Sequence, residues 1–173
     1  MIQLILGGAR SGKSGLAERL ATDSGREVVY IATATPGDDE MAARIAHHRQ
    51  RRPAAWRTVE TPLHLAATLR AESGVGRCLL VDCLTLWLTN WLLEEEMAGY
   101  HREREALLTA LPTLAGEVIL VSNETGCGVV PLGRLSRRFV DEAGWLHQQV
   151  AALSDRVVFT VAGLPQVLKG DPL

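Results

Sequence analysis

The sequence predicts an α/β fold: a mostly parallel sheet carrying helices on both faces. Three observations carry that prediction. Short apolar runs at residues 2–6, 28–32, 78–81, 118–121 and 157–161 each have the length and continuity of a strand covered on both sides. Stretches with apolar residues at three- and four-residue spacing lie between them, as crossover helices should. The first run leads directly into Gly7-Gly8-Ala9-Arg10-Ser11-Gly12-Lys13-Ser14, followed by a helical stretch and then the second run. A strand–loop–helix–strand opening is the doubly wound pattern.

The elements can be justified in order. After the glycine-rich loop, Leu16, Leu20 and Ala21 form an apolar helix side that stops near Asp23-Ser24-Gly25. Residues 33–39 leave the second strand at the carboxyl end of the sheet, where ligands bind in such folds. Residues 40–52 read as a helix with a thin apolar side, Met41 and Ile45, and a surface dense in Arg44, His47, His48, Arg49, Arg51 and Arg52; Pro53 ends it. Residues 55–59 read as a short strand or an extended connection. A helix is expected from Thr61 to about Ser73, with Thr61 as cap and Pro62 in first position. The run 78–81 closes on Asp82, and a long helix over 83–97 carries Trp87 and Trp91 one turn apart, most simply as core. Another helix covers 100–111. The run 118–121 opens into Ser122-Asn123-Glu124-Thr125-Gly126-Cys127-Gly128, and a helix over 132–154 offers Leu135, Phe139, Val140, Leu146 and Val150 to the core. The final run is expected to be the last strand, with 163–173 as a tail.

The totals bound the class. A chain of 173 residues, 47% apolar, suits a single domain over 1–173 that buries roughly 70% of its extended-chain surface. A net charge of −2 points to no particular partner, and the 16 Arg against 2 Lys fit either a coding bias or phosphate recognition. Three cysteines without metal-ligand spacing imply a reducing compartment, with Cys78 and Cys83 as apolar fillers. The apolar start is too short for a leader, and Asp82 and Asn90 interrupt the longest apolar region. A cytoplasmic protein without membrane insertion is therefore expected.

The loop at 7–14 fits G-x-x-x-x-G-K-[ST] in full, and its flanks are the strand and helix that the pattern requires, as in P-loop nucleoside triphosphatases. Backbone N–H groups of Gly7, Gly8, Ala9, Arg10, Ser11 and Gly12 would converge on phosphates, Lys13 would reach the β- and γ-phosphates, and the Ser14 hydroxyl would hold Mg²⁺. Asp82 is the expected Mg²⁺ carboxylate, directly or through water, unless it only caps the helix that follows. Asn123 and Glu124 form a candidate substrate loop, in which Glu124 could contact metal or a substrate hydroxyl or play a structural role. The basic helix allows three readings: a solvated face, an RNA-binding face, or a histidine nucleophile attacking an α-phosphate while Arg44 and Arg51 offset the phosphoryl charge. Few aromatics are available to stack bases, which disfavours nucleic acid. Spacing alone does not choose between His47 and His48.

Beyond this point the sequence resembles the bifunctional adenosylcobinamide kinase / adenosylcobinamide-phosphate guanylyltransferase family of cobalamin biosynthesis. The resemblance spans nearly the whole chain. It rests on the loop at 7–14, Tyr30-Ile31-Ala32-Thr33, Asp39-Glu40-Met41 with Arg44-Ile45-Ala46-His47-His48, Arg52-Pro53 with Trp56-Arg57-Thr58, and Ser122 through Pro131. It implies a RecA-like core, phosphorylation of adenosylcobinamide by ATP or GTP, then GMP transfer from GTP to adenosylcobinamide phosphate through a guanylylated histidine. By this resemblance His47 is the nucleophile, Thr33 and Glu60 join the nucleotide site, and the chain is a homo-oligomer, trimers being known in the family. Asp82 stands where some relatives carry glutamate. The competing readings are a single-function small-molecule kinase and a nucleotide-dependent switch.

Overall fold

A computed structural model describes residues 1–35, 52–94 and 97–173. In chain order these form β1 (Ile2–Gly7), α1 (Lys13–Asp23), β2 (Glu27–Ala32), β3 (Arg57–Glu60), α2 (Leu65–Glu72), β4 (Arg77–Asp82), α3 (Leu84–Leu93), α4 (Met97–Ala110), a 3₁₀ turn (Leu111–Thr113), β5 (Glu117–Asn123), α5 (Arg134–Leu153), β6 (Arg156–Val161) and β7 (Leu164–Lys169). One seven-stranded sheet runs β3-β2-β4-β5-β1-β6-β7, parallel throughout except for the antiparallel β6–β7 pair.

All six residues of β1 are buried, as a central parallel strand requires, and successive side chains go to opposite cores. Leu4 and Leu6 join Ile31, Leu79, Val81 and Leu120 beneath α2, α3, α4 and α5. Ile5 joins Tyr30, Leu80, Ile119 and Val121 against Leu16, Ala17 and Ala21 of α1. Trp87 and Trp91 are buried in the larger core, and the Trp87 indole N–H donates to Leu63 C=O at 2.8 Å. Cys78 and Cys83 are buried thiols, and desolvation pushes both up to about 12, so they pack as apolar residues.

Three expectations need correction. The helix expected from Thr61 begins at Leu65; Thr61 is instead buried, taking a 3.0 Å hydrogen bond from the Thr68 hydroxyl, and the carbonyl of Pro62 accepts from Asn90 Nδ2 at 2.9 Å. Pro62 could open a helix, but tertiary hydrogen bonds hold this segment as a bridge to α3. The last strand is followed not by a tail but by a hairpin, whose turn residues Ala162 and Gly163 have φ 50° and 80° and suit the twist of β6 and β7. The long helix over 83–97 is shorter, ending at Leu93. Of the basic stretch 40–52, only Arg52 lies within the described residues.

Two contacts fix the sheet ends. At the amino edge Gly116 has φ 89°, and a Cβ there would lie 2.2 Å from Gly74 O and 2.5 Å from Arg77 O. At the carboxyl edge the buried Thr33 hydroxyl accepts the Cys83 N–H at 2.8 Å and donates to the Cys83 carbonyl at 2.7 Å, joining the ends of β2 and β4. The Cys83 carbonyl also accepts the Trp87 N–H, so only the Cys83 N–H loses its partner if the hydroxyl is removed. Gly116→Ala is expected to destabilise the fold by about 2–3 kcal/mol in urea unfolding, from strain and from the clash together. Thr33→Val should cost about 1–3 kcal/mol for the orphaned N–H, and Thr33→Ser should restore most of it.

Candidate active site

Between β1 and α1 the chain turns from strand to helix within residues 8–12. Gly12, at φ 94°, and Arg10, at φ 54°, both take left-handed conformations. Gly12 does so freely, whereas Arg10 accepts a local cost of about 1–2 kcal/mol. Strain of this kind persists where surrounding contacts over-determine the backbone. Here the Ser11 N–H donates to Gly8 C=O, the Leu16 N–H to Gly12 C=O, and the Gly163 N–H of the β6–β7 turn to Ser11 C=O at 2.9 Å. The hairpin absent from the sequence reading thus braces the loop from behind. Lys13 Nζ donates to Gly8 C=O at 3.1 Å, which lays the ammonium across the loop. Burial lowers the Lys13 pKa, and the Asp82 carboxylate opposes that shift. The unpaired N–H groups of the first α1 turn open at the same place, which makes the loop a ready anion cradle.

Parallel pairing then aligns the other strand ends beside it. Gly7 pairs with Asn123, Asp82 with Val121, and Ala32 with both Asp82 and Glu60. Asp82 accepts the Tyr30 hydroxyl at 2.9 Å. The Arg52 guanidinium lies over the Tyr30 ring, 3.3 Å from its centroid, while its buried Nε and Nη1 have no hydrogen-bond partner. Burial and then the neighbouring Asp82 charge push the Tyr30 hydroxyl pKa far up, so it stays a donor to Asp82. Among the described residues no three His, Cys, Asp or Glu side chains cluster as metal ligands. A single carboxylate beside a phosphate cradle fits Mg²⁺, which keeps its waters and takes phosphate oxygens.

Gly7, Gly8, Ala9, Arg10, Ser11, Gly12, Lys13 and Ser14 form the loop and the first helical turn. Asp82 closes β4 two strands from Gly7, with β5 between them. Thr33 is adjacent in position: its hydroxyl pairs with both backbone groups of Cys83, its N–H donates to Asp82 C=O and its C=O accepts from Asn90 Nδ2 at 2.8 Å. Glu60 ends the edge strand β3, the farthest of the set from the loop. Asn123 closes β5 with its side-chain oxygen buried and unpartnered. The Glu124 N–H donates to Gly7 C=O at 3.0 Å. Arg44, His47, His48 and Arg51 lie outside the described residues.

Sequence reasoning missed a second set of polar groups. Thr85, Ser122 and His147 are buried together behind Asn123 and Glu124, with Ser122 Oγ 2.7 Å from His147 Nε2 and 3.0 Å from Thr85 Oγ1. A signal was present: His147 falls on the apolar stripe of α5, four residues after Ala143 and three before Val150. Tyr30 and Arg52 carry the family resemblance as separate motifs, one in a strand and one at the end of a basic stretch. Their contact could not be inferred, because it joins residues far apart in sequence.

Residues 3–168 match the family described as cobinamide kinase / cobinamide phosphate guanyltransferase. The chain is 69% identical over 173 residues to the bifunctional adenosylcobalamin biosynthesis protein CobP of Pseudomonas aeruginosa, covering all of both chains. It is 41% identical over 182 aligned positions to the bifunctional adenosylcobalamin biosynthesis protein CobU of Escherichia coli, covering 98% of this chain and 100% of that one. Among solved structures, the RadB recombinase aligns with TM-score 0.55 at 17% identity, over 91% of this chain and 73% of that one, a likeness of fold alone. The α/β fold with its mostly parallel sheet resembles P-loop, RecA-like nucleoside triphosphatases. The chain belongs to the cobinamide kinase / cobinamide phosphate guanyltransferase family, and is a bifunctional kinase and guanylyltransferase acting on adenosylcobinamide in cobalamin biosynthesis.

Proposed function

We propose that one phosphate cradle serves both reactions. In the kinase step residues 8–14 grip the triphosphate of ATP or GTP with Lys13 at the β- and γ-phosphates, and the γ-phosphoryl group passes to the aminopropanol hydroxyl of adenosylcobinamide. In the second step the same cradle stabilises departing pyrophosphate while neutral His47 attacks the α-phosphorus of GTP. Adenosylcobinamide phosphate then displaces GMP from His47 to give adenosylcobinamide-GDP. Ser14 and Asp82 would hold Mg²⁺, whose charge would offset that on the phosphates. Arg44 and Arg51 would offset charge at the α-phosphate and keep His47 neutral, and Thr33 and Glu60 would complete the nucleotide site.

The observation that carries this reading is the braced loop itself, with Lys13 across it and Asp82 two strands away. Arg52 supports the role of His47. Its guanidinium sits on Tyr30 beside Asp82, and His47 precedes it by only five residues, a chain reach of at most about 18 Å. The same reading takes residues 1–173 as one catalytic domain of a cytoplasmic protein with no nucleic-acid partner. Among the described residues no helix is long and apolar enough to cross a membrane. Self-association, as a trimer, is proposed on the exposed apolar side chains Val129, Val130, Leu132 and Leu135.

Incubation with α-labelled GTP is expected to give an acid-labile, base-stable protein adduct. It should vanish in His47→Ala, which keeps kinase turnover, and both activities should be lost in Lys13→Ala. Undiminished labelling of His47→Ala would remove His47 from the scheme and turn attention to His48.

A further inference from the structure

Behind the cradle, β5 ends in a relay that neither the loop nor Asp82 uses. Thr85 Oγ1 accepts the Asn123 N–H at 2.7 Å and lies 3.0 Å from Ser122 Oγ. Ser122 Oγ lies 2.7 Å from His147 Nε2. The other ring nitrogen, Nδ1, has no hydrogen-bond partner and faces Glu124 Oε2 at 3.6 Å. His147 is 7% exposed, so this is a buried polar edge aimed at a carboxylate and nothing else.

The direction of the relay sets the tautomer. Each hydroxyl has one proton to give. With the Asn123 N–H on one lone pair, Thr85 can donate to Ser122, and Ser122 to His147 Nε2. Nε2 is then the acceptor, and a neutral ring carries its proton on Nδ1. Run the other way, a neutral ring would turn a bare Nδ1 lone pair toward the Glu124 carboxylate. Burial holds the His147 pKa below its ordinary value, against the opposing pull of Glu124, which favours the neutral ring. The consistent arrangement therefore directs an Nδ1–H at Glu124.

Glu124 is well placed to use that support. Its N–H is bonded to Gly7 C=O, its Oε1 accepts the Gly126 N–H, and its side chain keeps 22% exposure toward solvent. We propose that Glu124 takes the proton of the acceptor hydroxyl in the kinase step, and that His147 is a positioning residue that aims the Glu124 carboxylate. The proposal rests on the phosphate cradle assigned above. The acceptor oxygen bonds to the γ-phosphorus as the bond from that phosphorus to the β–γ bridging oxygen breaks. The nucleoside diphosphate leaves with that electron pair, and the hydroxyl proton passes to Glu124 and afterwards to solvent. At 3.6 Å the Nδ1–Oε2 contact is electrostatic; catalytic hydrogen bonds are often this loose before substrate arrives and shorten in the complex.

The test is a double-mutant cycle on the full chain, with kcat and KM for adenosylcobinamide phosphorylation and a separate titration of nucleotide affinity. Glu124→Gln should lower kcat about 100-fold, the lower range for a lost general base. His147→Ala should lower kcat several-fold with little change in KM for nucleotide. His147→Asn, which can offer an amide N–H from a similar position, should recover most of that loss. In the Glu124→Gln background His147→Ala should have no further effect, because it acts through Glu124. Full activity of Glu124→Gln would overturn the assignment, as would additive losses in the double variant, or a His147→Ala defect confined to KM and unrescued by asparagine. Nucleotide affinity of Lys13→Ala reports on the cradle alone: if that affinity stays intact the cradle is wrong, whatever the cycle shows.

Discussion

The arrangement of this site depends on parallel pairing in a sheet buried on both faces. Parallel neighbours must each be reached by a crossover, so their carboxyl ends fall on one edge, and the loops leaving β1, β2, β4 and β5 emerge together. The register is held from both sides. Leu4 and Leu6 belong to the core under α2–α5, while Ile5, between them, belongs to the core under α1. A slip of one residue would exchange these sets, placing every side chain of β1 in the wrong core. In the register observed, Gly7 stands opposite Asn123, and Asp82 opposite Val121.

The two cores are unequal, and this affects the chemistry. Four helices cover one face, whereas among the described residues α1 is the chief cover of the other, through Leu16, Ala17 and Ala21, with Leu20, Trp56, Leu86 and Val167 packed against that core. The helix that presents Lys13 and Ser14 is therefore anchored by few side chains. Its rotation is also set at its start, by the Leu16 N–H on Gly12 and by the hairpin contact from Gly163 to Ser11. An antiparallel edge pair, β6 and β7, thus takes part in shaping a loop it does not belong to. The short sequence motif describes what the loop can bind. The hairpin and α1 determine whether its N–H groups point the right way.

Much of this was legible in the sequence because it is local. The five apolar runs became strands, Trp87 and Trp91 became core, and the loop at 7–14 lies where its flanks require. What escaped was set by distant partners. Thr61 and Pro62 carry the chemistry of a helix start, but hydrogen bonds from Thr68 and Asn90 use them as a bridge instead. β7 contains Pro165 and little alternation, and only pairing with β6 makes it a strand. The resemblance puts Thr33 in the nucleotide site, but its hydroxyl pairing with Cys83 across β2 and β4 shows only in the fold. His147 broke the apolar pattern of α5 visibly, but its partners Ser122 and Glu124 lie more than twenty residues earlier and could be paired with it only in three dimensions.

In the proposed scheme two reactions on one cradle impose different demands on protons, and two separate devices suit them. Phosphorylating an alcohol releases a proton at the γ-phosphate end, so a carboxylate kept anionic and correctly aimed is useful there. Guanylylation instead needs a nucleophile at the α-phosphate that is already unprotonated, and surrounding arginines favour a neutral imidazole by raising the cost of its charge. One residue could not meet both needs well. Drawing it toward arginine would weaken it as a proton acceptor, and drawing it toward carboxylate would protonate an imidazole. In the proposed scheme Glu124, just after β5, works against the buried His147, whereas His47 is kept for guanylyl transfer, so the two environments are separate. The relay Thr85–Ser122–His147 then serves the first environment: its hydrogen bonds run from Asn123 through the two hydroxyls to the ring that faces Glu124.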